Sequence, residues 1–316
     1  MATLWPDLPY PAWRETCDAL HLYTQVVGKY RLTRTPWVNH SWHATFYVCS
    51  HGLTTSFVPD KPGGIEIIFD LLDHAVVGMA TDGRRARITL EPMSVAEFHA
   101  KFLEMLHALG GTPKLHGIPN EVPDPVPFVK DHAARPYDAD AVARFFQALV
   151  SIQRVFQQFR TACLGKASPV HLFWGSFDLA VTRFSGRRAP LHPGGVPGLP
   201  DAVTREAYSH EVSSAGFWPG GGAVDYPAFY SYAYPAPPGF SEAQVQPRAT
   251  TFNAALGEFI LPYDAVRQSS APEDTLLAFL QSTYDAAAEL GAWDCAALEC
   301  DMGVPLRPRP LQYKPD

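Results

Sequence analysis

The proline content of this chain constrains its fold more than any other feature of the sequence. The 316 residues include 30 prolines, roughly twice ordinary usage. Proline fixes its own φ angle and restricts the residue before it. The prolines concentrate in PNEVPDPVPF (119–128), APLHPGGVPGLP (189–200), YPAPPGF (234–240) and the tail VPLRPRPLQYKPD (304–316). We therefore expect stiff, extended connections in these segments and regular structure between them.

Four segments between the proline clusters have the apolar periodicity of amphipathic helices. They cover residues 12–28, 94–109, 138–162 and 273–290. Ser94 and Asp138 are suitable N-caps, and the glycines at 110, 165 and 291 are suitable helix ends.

Other segments alternate apolar and polar residues, as strands do. In the first part of the chain they are SWHATFYV (41–48), IEIIFDLL, AVVGMA and RRARITLE, with TDGR as a hairpin turn; in the second they are 170–184, 228–234 and 257–263. The pattern predicts an α+β fold of two similar helix-strands-helix halves, with mainly antiparallel sheets flanked by helices. We place the halves at 1–130 and 131–300, followed by a proline-rich tail at 301–316.

The two halves have the same order of elements. Each begins with a helix ending in a glycine-lysine pair and closes with a helix ending near leucine-glycine. This order indicates an internal duplication with a pseudo-two-fold axis and a ligand cleft between the halves. The alternative is that any α+β chain of this size yields such matches.

The bulk composition excludes several classes of partner. A formal charge of −7 argues against nucleic acid or anionic lipid as the main partner. The N-terminus lacks the pattern of a signal peptide and no long apolar run follows, so we expect no membrane association and a cytoplasmic location. Five cysteines without a CxxC pair suit reduced thiols. The sequence leaves the oligomeric state open.

Long motifs connect the chain to a known group of proteins. The blocks WPDLPYPAW, TPWVNHSWHATFYV, SPVHLFWGSFDLAVTRFSGR, EAYSHEVSSAGFWPGGG and LGEFILPYDAVR resemble those of a bacterial family catalogued as domain of unknown function 5996. The resemblance covers about residues 4–299. It implies one intact bacterial unit and supplies no activity and no catalytic residue.

Histidines are the strongest candidates for chemistry. His40 lies in NHSWH, His171 in PVHLFWGSFD and His210 in YSHEV. Three imidazoles brought together by the fold would make an open site for a transition metal such as zinc or iron. Their spacing matches no known metal motif, and the alternative is that they are hydrogen-bonded wall residues among aromatic side chains.

A metal-free site is the second interpretation. His210 or His171 is a candidate general base, with Glu211 or Asp178 orienting it. Neighbouring side chains on a strand point to opposite faces, so His210 and Glu211 cannot both face one cleft without a bulge, and one of them should be structural.

Aromatic and basic residues complete the predicted site. Trp42, Trp174, Tyr230 and Tyr232 are candidates for the wall of a ligand pocket, and Arg183 for a carboxylate or phosphate clamp. Alternatively, the tyrosines lie on a sheet face covered by a helix, and Arg183 lies at a solvated hairpin end. We expect a small-molecule enzyme with a histidine-rich, aromatic-lined cleft that is either metal-dependent or uses acid-base chemistry. The alternative is a non-catalytic small-molecule binding protein with an aromatic pocket.

Overall fold

The computed structural model describes residues 4–309. Within this range the chain forms seven α-helices and two six-stranded antiparallel sheets. The predicted α+β class and the antiparallel sheets are confirmed.

The first sheet uses only strands from the first half of the chain. Its strands are β1 (Tyr47–Cys49), β2 (Gly52–Thr54), β3 (Val58–Asp60), β4 (Gly63–Asp70), β5 (Ala75–Ala80) and β6 (Arg85–Thr89). Their order is β1-β2-β4-β5-β6, and β3 pairs with β4. The expected TDGR hairpin joins β5 to β6, where Gly83 has a φ of 93°.

The second sheet is built from the second half of the chain. Its strands are β7 (His171–Phe173), β8 (Asp178–Arg188), β9 (His210–Trp218), β10 (Ala228–Tyr234), β11 (Thr251–Asn253) and β12 (Glu258–Pro262), in the order β11-β12-β10-β9-β8-β7. Phe46 and Leu172 exchange two backbone hydrogen bonds of 2.9 and 2.8 Å. This bridge joins the edge of the first sheet to the edge of the second.

The helices are α1 (Tyr10–Arg34), α2 (Val95–Ala108), α3 (Ala139–Thr161), α4 (Asp201–Ala207), α5 (Tyr263–Arg267), α6 (Pro272–Leu290) and α7 (Cys295–Leu298). The apolar stripes that predicted α1, α2, α3 and α6 are buried in one continuous core. The Ser94 and Asp138 side chains accept hydrogen bonds from the first turns of α2 and α3, as capping residues do.

Three local predictions were wrong. The segment 170–184 is not one strand: β7 and β8 are antiparallel strands separated by a turn at 174–177. α1 continues past Gly28 to Arg34 because this glycine serves close packing: a Cβ there would lie 2.4 Å from the Trp174 ring. The segment 41–48 is not one strand. His40 and Ser41 have φ angles of 60° and 58° in a 3₁₀ turn, and the strand begins only at Tyr47.

The duplication and the boundaries at 130 and 300 stay predictions. Residues 310–316 of the proline-rich tail lie outside the described residues. All five cysteines are free. Between residues 4 and 309, no helix has both the length and the apolar character needed to span a membrane.

Candidate functional site

The second sheet has two chemically different faces. One face packs apolar side chains such as Phe217 and Phe229 against the core that includes α3 and α6. The other face, here called the tyrosine face, carries Tyr230 and Tyr232, with Asp178 on β8 and Glu258 on β12. Loops lie over it, and the Tyr234 hydroxyl donates to the Pro190 carbonyl at 3.1 Å.

Asp178 is a buried carboxyl at the start of β8. It accepts hydrogen bonds from the Ser176 and Tyr230 hydroxyls. Tyr230 lies flat on the sheet because Gly216 opposite it has no side chain; a Cβ there would come 2.4 Å from the phenol oxygen. Burial raises the pKa of Asp178, and the two hydrogen bonds oppose that rise.

Glu121 reaches the same region from the proline-rich loop 119–128. The loop is fixed to α1 because the Asn120 N–H donates to the Gln25 side chain at 2.7 Å and Lys29 donates to the Asn120 side chain. The Glu121 carboxyl lies directly against Gly175, where an added Cβ would be 2.1 Å from Oε1. The position therefore depends on glycine at residue 175.

The Glu121 carboxyl changes its protonation state near neutral pH. Burial, followed by the charge of Asp178, raises its pKa to about 7, while the Lys29 ammonium opposes the rise. Burial and Asp178 favour the protonated carboxyl, and Lys29 favours the ionised one. A carboxyl of this kind can both accept and donate a proton at pH 7.

A cavity of about 580 Å³ opens beside Glu121. Helix α1 contributes Tyr10, Cys17, Asp18, His21 and Leu22 to its wall. The remaining wall consists of Pro119, the loop 121–126, Asp131 and Arg135, the turn at 176–177, Trp218, the segment 220–224 with its three glycines, and Leu256. Its volume is in the range of sites for small molecules.

Glu258 is the second acidic residue on the tyrosine face. Its Oε2 atom is buried and has no hydrogen-bond partner among the described residues. Burial and the charge of Asp178 raise its pKa to about 8. Nearby, the hydroxyls of Tyr208 and Tyr232 form a hydrogen bond of 3.0 Å.

His40 and His210 form a separate polar cluster at the other end of β9. Their ring centroids are 6.0 Å apart. His40 Nε2 lies 2.5 Å from Lys166 Nζ, and the His40 backbone N–H donates to the Glu206 carboxylate at 2.8 Å. Neither imidazole lines the cavity.

His171 is sealed in an apolar environment. Its side chain is 1% exposed, and both ring nitrogens lack a hydrogen-bond partner within residues 4–309. The ring lies 4.6 Å from Phe173 and 6.5 Å from Trp42, between centroids. Burial, with a smaller effect from Arg160, lowers its pKa to about 3, so the ring is neutral.

The predicted metal site is not supported. In the part of the chain that the structure describes, no group of three or more histidine, cysteine or acidic side chains is arranged to hold a metal ion. The proposed zinc or iron ligands His40, His171 and His210 do not form such a group, and they do not line a common cleft. Close packing around His171 separates it from the other two imidazoles.

His210 and Glu211 point away from each other, as strand geometry requires. Glu211 forms an ion pair with Arg187, whose Nη2 lies 2.6 Å from its Oε2. The same Arg187 nitrogen donates to the Gly291 carbonyl. Glu211 thus connects β9 to the end of α6 and does not orient His210.

Arg183 and the predicted tryptophans Trp42 and Trp174 also lie outside the cavity wall. The Arg183 guanidinium is buried between the rings of Phe159 and Tyr284, 3.6 and 4.4 Å from their centroids. Trp174 is buried against α1 and donates to the Ala44 carbonyl at 2.6 Å. Trp42 packs beside His40, with their centroids 5.2 Å apart.

Several residues at the cavity were not predicted from the sequence. Glu121 was treated as part of a stiff connection, and no local motif marked it as a site residue. His21 in the wall, and Lys29 and Glu258 outside it, had no sequence signal of a chemical role. The WPGGG segment contributes Trp218 and the glycines 220–222 to the wall.

The comparisons with known proteins concern the family alone. A family of unknown function, DUF5996, matches residues 5–300. The chain belongs to this family. No curated protein and no solved structure matches it. Membership in DUF5996 assigns no reaction, so the function must be argued from the cavity.

Proposed function

We propose that this member of DUF5996 is an enzyme that acts on a small molecule by proton transfer, with Glu121 exchanging the proton at the cavity wall. The observation that carries the proposal is the placement of this carboxyl. Glu121 lines the cavity, lies against Gly175 and interacts electrostatically with the buried Asp178. A general acid or base must be within reach of its substrate, and the wall position satisfies this condition.

Asp178 has a positioning role in this proposal. It lies behind the wall residue Ser176, from which it accepts a hydrogen bond, and it does not line the cavity itself. Two nearby carboxyls resist being ionised together, so Asp178 keeps Glu121 able to hold a proton at neutral pH. This proposal gives no role to His210 and Glu211, the candidates suggested by the sequence, because neither lines the cavity.

The second candidate function is non-catalytic binding of a small molecule. Tyr10, Phe177 and Trp218 all contribute to the cavity wall, and aromatic side chains provide much of the contact area in small-molecule sites. Under this alternative Glu121 contributes to affinity but no compound is converted.

Metabolite profiling separates the two candidates. The purified full-length protein is incubated at pH 7 with a small-molecule cell extract, and the mixture is followed by mass spectrometry. We expect at least one compound to be consumed and its product to accumulate, and Glu121→Gln to slow this conversion at least 100-fold. Glu104→Gln, at an exposed site on α2, is the matched control and should react normally. Unchanged conversion by Glu121→Gln would refute the role of Glu121, and retention of a compound without conversion would favour the binding protein.

A further inference from the structure

The polar groups of the cavity wall identify the chemical class of its ligand, and this step rests on the proposed function. The wall contains the carboxyls of Asp18, Glu121, Asp124 and Asp131 and one guanidinium, Arg135. Arg135 is already paired with Asp131 at 2.6 Å. Asp18, Glu121 and Asp124 form no ion pair with a described residue, although the charges of Arg14 and Arg135 act on Asp18 and that of Lys29 acts on Glu121.

Three donor side chains of the wall already have acceptors within the protein. The Tyr10 hydroxyl donates to Asp18 at 3.5 Å, and the Ser176 hydroxyl donates to Asp178. His21 Nε2 lies 2.9 Å from the Gly175 carbonyl oxygen. Because a carbonyl oxygen can only accept a hydrogen bond, this nitrogen is the donor. These side chains leave acceptors rather than donors for a ligand.

Aromatic rings supply the second feature of the wall. Tyr10 already binds a cation on its ring face, where the Arg14 guanidinium carbon lies 5.1 Å from the centroid. Trp218 is stacked on Tyr230 and Phe177 on His21, so each ring is held in a fixed orientation. Rings held in this way attract organic cations through their negative faces.

We propose that the ligand is an organic amine that enters the cavity as its ammonium form, with an apolar or aromatic body. The ammonium group lies against Glu121 and Asp18, and the body packs on Tyr10, Phe177 and Trp218. An anionic ligand of the same size would face three carboxyls and no free cationic side chain in the wall.

Three probes of nearly equal shape test the charge requirement. Benzylamine, benzyl alcohol and benzoate differ mainly in charge, and their binding to the full-length protein is measured by calorimetry at pH 7.5. We expect benzylamine to bind at least tenfold more tightly than benzyl alcohol, and benzoate to bind more weakly than either. Glu121→Gln should lower the benzylamine affinity at least fivefold and leave the benzyl alcohol affinity within twofold, while Glu104→Gln changes neither.

A cavity-filling variant locates the binding. Ala223 is exposed and lines the cavity, so Ala223→Trp should reduce benzylamine binding at least tenfold without unfolding the protein. Equal affinity for benzylamine and benzyl alcohol would overturn the amine proposal and leave the proposed function standing. Benzylamine binding that Ala223→Trp does not change would overturn it as well, because the ligand would lie elsewhere. Absence of binding by all three probes, together with no conversion in the metabolite experiment, would overturn both.

Discussion

Replacing Glu258 by glutamine should stabilise the protein at alkaline pH and not at acidic pH. The Glu258 carboxyl titrates near 4.5 in an unfolded chain, and burial and the charge of Asp178 raise its pKa to about 8 in the fold. The folded protein therefore holds a proton that the unfolded chain releases. This contribution to stability is complete below pH 4.5 and is lost as the pH rises to about 8. Glutamine does not titrate in this range, so the variant does not lose stability at this position as the pH rises.

The size of the effect follows from the two pKa values. Each pH unit between 4.5 and 8 is worth about 1.4 kcal/mol for one proton, which gives an upper limit of about 5 kcal/mol at pH 8. Partial exposure of the side chain and its coupling to Asp178 reduce the expected gain to about 2 to 4 kcal/mol.

Urea unfolding at pH 4.5, 6, 7 and 8 measures this difference. The variant is compared with wild type at each pH. The contributions of the buried histidines to the free energy of unfolding have the opposite pH dependence and cancel in this difference. Glu104→Gln, at an exposed site, is the control and should give a difference that changes little with pH. A Glu258→Gln difference that is constant from pH 4.5 to 8 would refute the account of the tyrosine face.

Three further substitutions test the packing around the site by denaturant unfolding. Leu149→Ala on α3 removes a buried core side chain and should cost about 2 to 5 kcal/mol; a cost below about 1 kcal/mol would contradict its core position. Tyr230→Phe removes one of the two hydroxyls that donate to Asp178 and should cost about 1 to 3 kcal/mol, whereas no loss would show that this hydrogen bond is not formed. His171→Leu replaces a ring whose nitrogens lack partners and should be neutral or stabilising, whereas a loss of more than about 2 kcal/mol would show that the imidazole has a polar role.

Local sequence patterns predicted the four long helices because their apolar periodicity reports burial directly, whereas the short helices α4, α5 and α7 were not predicted. The α3 stripe from Val142 to Phe159 is buried as expected, and the Ser94 and Asp138 caps form. The exceptions have long-range causes. Gly28 looks like a helix end, yet it lies inside α1 because Trp174, distant in the sequence, packs against it.

The candidate site was harder to predict because it forms from segments that are far apart in the chain. Glu121 reaches the cavity only because Gln25 and Lys29 hold Asn120 and because residue 175 is glycine. The spacing of residues within the loop 119–128 does not reveal these long-range contacts. The histidines were conspicuous by residue type, but burial without hydrogen-bond partners makes His171 a packing residue.

The protonation of Glu121 tests the central claim most directly. Wild-type protein is labelled with ¹³C at the glutamate carboxyl groups, the Glu121 resonance is assigned by its loss in Glu121→Gln, and the spectrum is followed from pH 4 to pH 9. We expect this resonance to titrate with a midpoint of about 7 and the midpoint to fall when benzylamine is added, because an ammonium ion favours the ionised carboxyl. A midpoint near 4.5 would contradict a proton-exchanging carboxyl at the cavity wall.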